Sequence, residues 1–224
     1  MAETLVADQH ASDAAHAHQF DDAEQQRDAA TMGMWVFLAT EIMFFGGLFA
    51  SYVVYRTLYP AAFAIASQSL DIALGTLNTA VLLLSSFAVA VAVYGAQTGR
   101  RRTTVWALAT AIALGVVFLA IKFYEYYQKY VEHHVPGPSF EFPAPYTEPA
   151  KMYFTLYFAM TGLHAVHMIA GCGLLAVMIV MARRGRFTPE YHSPVEVSGL
   201  YWHFVDIIWI FLYPLLYLIG RHLE

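Results

Sequence analysis

The chain has 224 residues, 58% hydrophobic and 13% charged, where ordinary soluble domains carry roughly 45–50% apolar and about 25% charged residues. Its formal net charge is −5, and nothing in it is basic enough to hold a nucleic-acid backbone. Nucleic-acid binding is therefore excluded, and a bilayer is the expected solvent.

In chain order, the acidic excess comes first. Glu3, Asp8, Asp13, Asp21, Asp22, Glu24 and Asp28 are seven of the seventeen acids and precede every apolar run. Residues 1–30 lack the basic start and apolar core of a cleaved signal. They read as a retained, largely disordered cytoplasmic tail, in which His10, His16 and His18 would bind a metal only weakly. Residues 31–224 read as one all-α membrane domain. A spanning helix needs about 20 mostly apolar residues, and five stretches supply them: Gly33 to Leu58, Ile72 to Ala96, Val105 to Tyr127, Met152 to Ala182 and Ser198 to Ile219. The fourth is longer than a bilayer requires and should tilt or project.

Short cytoplasmic loops are enriched in arginine and lysine. Arg27, Arg100, Arg101, Arg102, Arg183, Arg184 and Arg186 share one side of a five-span chain. The amino terminus is thus expected inside and the carboxyl terminus outside. On the outer side, Arg56, Lys122, Lys129, Lys151 and Arg221 are few, and several lie where long side chains can snorkel. Val135 to Pro149 is rich in proline and should form an external loop with some order.

Ionisable residues inside apolar runs carry the functional question. Glu41 lies eight residues into the first run, where it must be protonated, paired or turned to a polar cavity. It is either a carboxyl that handles protons or meets lipid headgroups, or a neutral acid bonded to a neighbouring helix. His164 and His167 lie three apart on one helix face; they are at most half a metal site, and bonds to neighbouring helices are the plainer reading. His203 and Asp206 are one turn apart, a natural hydrogen-bonded pair, with a buried proton relay as the sharper alternative. Glu125, Tyr126 and Tyr127 fit an interfacial anchor. Gly46, Gly47, Gly171 and Gly173 would admit close helix contacts. The lone Cys172 rules out an intrachain disulfide, and the histidines within the runs are too few for a haem-copper centre.

These motifs occur in order: Leu38-Ala-Thr-Glu-Ile-Met-Phe-Phe45, Leu77-Asn-Thr-Ala-Val-Leu-Leu83, Glu125-Tyr-Tyr127, Thr161-Gly-Leu-His-Ala-Val-His167 and Tyr201-Trp-His-Phe-Val-Asp-Ile-Ile-Trp209. Together they resemble the signatures of haem-copper oxidase subunit III, the last being the most specific. The longer family members have seven helices, with lipid in the cleft between the first two and the rest. This chain resembles the short five-helix bacterial form, which begins at the third helix. The resemblance implies an accessory subunit of a proton-pumping terminal oxidase, placed against subunit I, with subunit II, small subunits and membrane lipids as further partners. Haem and copper would belong to those partners, with none in this chain and with phospholipid as a bound molecule. Glu41 matches the family's carbodiimide-reactive glutamate; Glu125, His164, His203 and Asp206 match polar packing positions, with a share in lipid contact. The implied role is to keep the catalytic subunit from inactivating and to support proton uptake. A quinol oxidase subunit and a relative attached to nitric oxide reduction remain open within the family. Outside it stand a proton-coupled transporter, disfavoured by the absence of a two-half repeat, and an assembly protein.

Overall fold

In the computed structural model, which describes residues 23–189 and 191–219, all regular structure is helical. The helices are α1 (Ala23–Leu58), α2 (Pro60–Gln68), α3 (Ile72–Gln97), α4 (Arg101–Val131), α5 (Thr147–Arg183) and α6 (Ser193–Tyr217). All but α2 are long and apolar enough to cross a membrane. Each expected span is present, and most outrun their apolar stretch. Hydropathy marks the part suited to hydrocarbon, whereas the hydrogen-bond ladder continues until something stops it. Residues 1–22 of the expected tail, with its three histidines, lie outside the described residues; the rest of that segment begins α1.

The stops are chemical. α1 ends ahead of Pro60, which has no N–H to give and disfavours helical geometry in the residue before it. Asp71 then caps α3, its carboxylate accepting from the N–H groups of Ala73 at 2.8 Å and Leu74 at 3.3 Å. Gly99 and Gly185 take left-handed φ of 66° and 72°. There the next N–H turns back to a carbonyl of the finishing helix, Arg100 to Gly95 and Arg186 to Met181. The start of α1, the α3–α4 turn and the α5–α6 turn thus share one end of the bundle. α2 and the 132–146 loop lie at the other, where the Tyr52 hydroxyl donates to the Leu215 carbonyl at 2.7 Å and the Lys129 ammonium to that of Ser69 at 2.6 Å.

Four spans meet around Trp202. A Cβ placed on Gly115 of α4 or Gly171 of α5 would come within 3.0 Å of its indole. The ring fits because those positions have no side chain, and its N–H donates to Ser85 Oγ of α3 at 3.0 Å. Gly46, Gly47 and Gly173, expected to serve helix contacts, have open space instead. α1 is the peripheral span: only 17% of its most apolar window is buried, against 56% for α6.

Candidate functional site

Glu41 of α1 and His167 of α5 meet in the membrane-spanning part of the bundle, with Oε2 3.1 Å from Nε2. The other ring nitrogen, Nδ1, lies 2.9 Å from the Leu163 carbonyl. A carbonyl only accepts, so Nδ1 carries a hydrogen. The Glu41 contact then holds a single proton, on the carboxyl with a neutral imidazole or on the ring with a carboxylate. The couple is neutral overall in both forms, which is the economical way to keep two ionisable groups in hydrocarbon. Phe45 and Tyr201 pack on the histidine ring, and both members stay partly exposed, at 20% and 14%. The geometry places that one hydrogen between the two groups.

His164 does not join it. A step of three residues turns an α-helix by about 300°, leaving the two side chains about 60° apart. His164 points inward, between Phe118 at 5.3 Å and Trp209 at 5.2 Å, with no hydrogen bond to either nitrogen. The expected bond to a neighbouring helix is therefore made by His167 and not by His164.

The expected His203–Asp206 pair is not made either, although Lys122 and Glu125 do bond at the same three-residue spacing. His203 Nδ1 bonds Ser86 Oγ of α3 at 2.7 Å. Asp206 is buried and neither carboxyl oxygen makes a hydrogen bond, although Ser86 is close by. Asn78 of α3 is likewise buried with both amide atoms unpartnered.

Of the residues expected at the interface, Glu125 is buried and Tyr126 half-buried. Tyr126 bonds Thr161 at 2.6 Å, and only Tyr127 of the three fits the anchor reading, 65% exposed. Glu125 is at the centre of a closed cluster with Lys122, Tyr157 and Tyr217, all buried. The Lys122 ammonium donates to Glu125 Oε2 at 3.1 Å and to the hydroxyls of Tyr157 at 3.1 Å and Tyr217 at 2.8 Å. Both hydroxyls pass their hydrogens to Glu125 Oε1, at 3.0 and 2.6 Å. The rings of Tyr126, Tyr157, Trp209 and Tyr217 surround the ammonium at 4.9–5.5 Å, adding cation–π attraction. Lys122 therefore does not snorkel. A signal for this exists in the sequence: buried positions of α4 run 104, 108, 111, 115, 118, 122, 125, 129, so Lys122 and Glu125 continue the core stripe in phase.

On its other flank α1 forms with α6 an apolar groove of about 450 Å³, lined by Trp35, Leu38, Ile42, Phe204, Phe211 and others, with His203 in its wall. Among the described residues no three of His, Cys, Asp and Glu gather as a metal-ligand set.

The profile of the family described as "Cytochrome c oxidase subunit III" matches residues 11–221. A relative named cytochrome c oxidase subunit 3 from Scyliorhinus canicula is 35% identical over 195 residues, 84% of this chain and 69% of its own length. One of the same name from Thermostichus vulcanus is 31% identical over 205 residues, 90% of this chain and 92% of its own. A third, from Formosania lacustris, is 34% identical over 197 residues, with coverage of 84% and 69%.

Proposed function

The chain belongs to the cytochrome c oxidase subunit III family, and from that membership we propose that it lies in the cytoplasmic membrane of a bacterium against subunit I. It is a subunit of an oxidase complex; the haem and copper reside in partner chains, and cytochrome c, which the relatives' names carry, is the electron donor. The amino terminus faces the cytoplasm and the carboxyl terminus the outside. Within the complex the subunit braces the catalytic chain, and the Glu41–His167 couple serves proton uptake.

One observation carries this reading: the polar groups that do find partners bond to a neighbour rather than to a shared centre, while His164, Asp206 and Asn78 lie apart and unpartnered. Glu41 is bonded to His167, Lys122 to Glu125 and two tyrosines, His203 to Ser86. Haem ligation needs a histidine aimed at an iron, and the histidines here diverge. Such a bundle suits a rigid brace with one exchangeable proton. The apolar groove beside α1 suits an acyl chain, which supports the phospholipid contact.

The test is purification of the tagged chain in mild detergent, with an optical redox spectrum and mass spectrometry of what accompanies it. Haem-bearing and copper-bearing chains with oxygen uptake are expected, and a dinuclear copper site in the neighbouring subunit would mark cytochrome c rather than a quinol as donor. Complex stripped of this chain should lose activity faster during turnover. A colourless chain with no companions would overturn the reading.

A further inference from the structure

Both turns at the end of the bundle where α1 begins are basic. Arg100 precedes α4 and Arg101 and Arg102 open it, while Arg183 closes α5 and Arg184 and Arg186 follow it; all six are exposed. The turns touch: Gly99, Arg101, Ala182 and Phe187 line one small hollow, and a Cβ on Gly99 would lie 3.5 Å from Pro189. The arginines thus form one patch. Among the described residues no ion pair engages any of them, and Arg100 merely lies over the Tyr94 ring at 6.0 Å. Glu196, at the start of α6, accepts from Gln97 at 2.7 Å and is 3.2 Å from His192. Glu190 lies outside the described residues.

Membrane topology accounts for the side on which arginines collect; it does not provide a counter-charge. The chain carries one. Residues 1–22 include Glu3, Asp8, Asp13, Asp21 and Asp22 and no lysine or arginine. The segment is also rooted at the right height. Below the 3.1 Å contact between Glu41 and His167, α1 continues to Ala23 for about 27 Å and α5 continues to Arg183 for about 24 Å, at 1.5 Å per residue. The root of the segment is therefore level with the patch, and twenty-two residues can reach up to about 75 Å when extended. Each exposed pair is weak alone, but tethering replaces a bimolecular encounter with a local one.

We propose that residues 1–22 dock across the six-arginine patch, an acid-on-base contact within one chain that keeps this end of the bundle from anionic lipid headgroups. The proposal rests on charge and topology and stands independently of whether an oxidase co-purifies.

The test uses the full chain in phosphatidylcholine nanodiscs, spin-labelled at Ala14→Cys and Thr188→Cys in a Cys172→Ser background, with distances from double electron–electron resonance. At 0.1 M salt a dominant short-distance population is expected. It should shrink at least about fivefold at 1 M, where the screening length falls from about 10 to about 3 Å. Changing the five tail acids to their amides should abolish it at 0.1 M, and that variant leaves the membrane bundle untouched. A short population indifferent to salt and to the amides, or none at 0.1 M, overturns the proposal. So does loss of the short population in nanodiscs half phosphatidylglycerol, which would assign the patch to lipid headgroups; persistence there supports the tail.

Discussion

Replacing Lys122 with methionine keeps the length of the side chain and removes its charge from a site where Lys122 and Glu125 are 2% and 1% exposed. The carboxylate would keep its two tyrosine donors and lose its only cation. Breaking one side of a buried pair in this way costs about 3–5 kcal/mol, so Lys122→Met should cost about 4 kcal/mol. Glu125→Gln on its own leaves the ammonium with a neutral oxygen and should cost nearly as much. The double variant behaves differently, because the glutamine oxygen still accepts from Tyr157 and Tyr217 while no charge is stranded; about 1–2 kcal/mol is expected, the value of imperfectly replaced hydrogen bonds. The double-mutant cycle should therefore show several kcal/mol of coupling, read from unfolding of the purified chain by SDS titration in mixed micelles. If Lys122→Met and the double variant are equal within about 0.5 kcal/mol, the cluster is not held by charge.

Glu41→Gln should leave assembly intact and block carbodiimide labelling, since the reagent needs a carboxyl; unchanged labelling in the variant would show that another acid reacts. Gly171→Ala places a Cβ 3.0 Å from Trp202 and should destabilise by about 1–3 kcal/mol, whereas Gly173→Ala, with open space, should be neutral or stabilising by up to about 1 kcal/mol. Thermal unfolding compares the two directly, and equal effects would refute the packing argument. His134, beyond the end of α4, stacks on Phe154 at 5.0 Å and lies 3.1 Å from Glu132. Burial, then the charge of Lys129, push its pKa down, while Glu132 pulls it up. Because the folded value lies below the ordinary value near 6.5, the unfolded loop takes up a proton that the folded loop refuses, and loop stability falls as pH drops below about 6.5. Amide exchange across residues 133–142, corrected for intrinsic rates, should quicken between pH 7.5 and 5.5 and lose that dependence in His134→Gln; a flat wild-type profile would contradict it.

The five spans were legible because hydrocarbon thickness imposes a length and hydropathy reports it directly. Their ends were not, since Asp71, Gly99 and Gly185 act through backbone hydrogen bonds that hydropathy ignores. The site was half visible. Glu41 and His167 each stand out as ionisable groups in apolar runs, yet no local feature pairs residues 126 positions apart. His203 and Asp206 drew attention as neighbours on one helix, and what local spacing does not reveal is that Ser86 of α3 takes His203 and leaves Asp206 unpartnered. Lys122 was grouped with cations near helix ends, several of which could snorkel, because distance to a helix end was weighed and its phase with Leu108, Ala111, Gly115 and Phe118 was not.

The weak attachment of α1 acquires another meaning when the chain is followed as it is made. α1 precedes the other four spans in the chain, and it is the span least covered by its neighbours. The codons for Glu41 and His167 lie 126 residues apart; at about 5–20 residues per second they are read about 6–25 s apart. Until α5 follows, α1 must persist with that acid unmatched by His167, which a window of mean hydropathy 1.7 makes tolerable. The bond from Glu41 to His167 can close only after α5 has arrived, so its closure dates the moment at which α1 is tied to the later half of the chain.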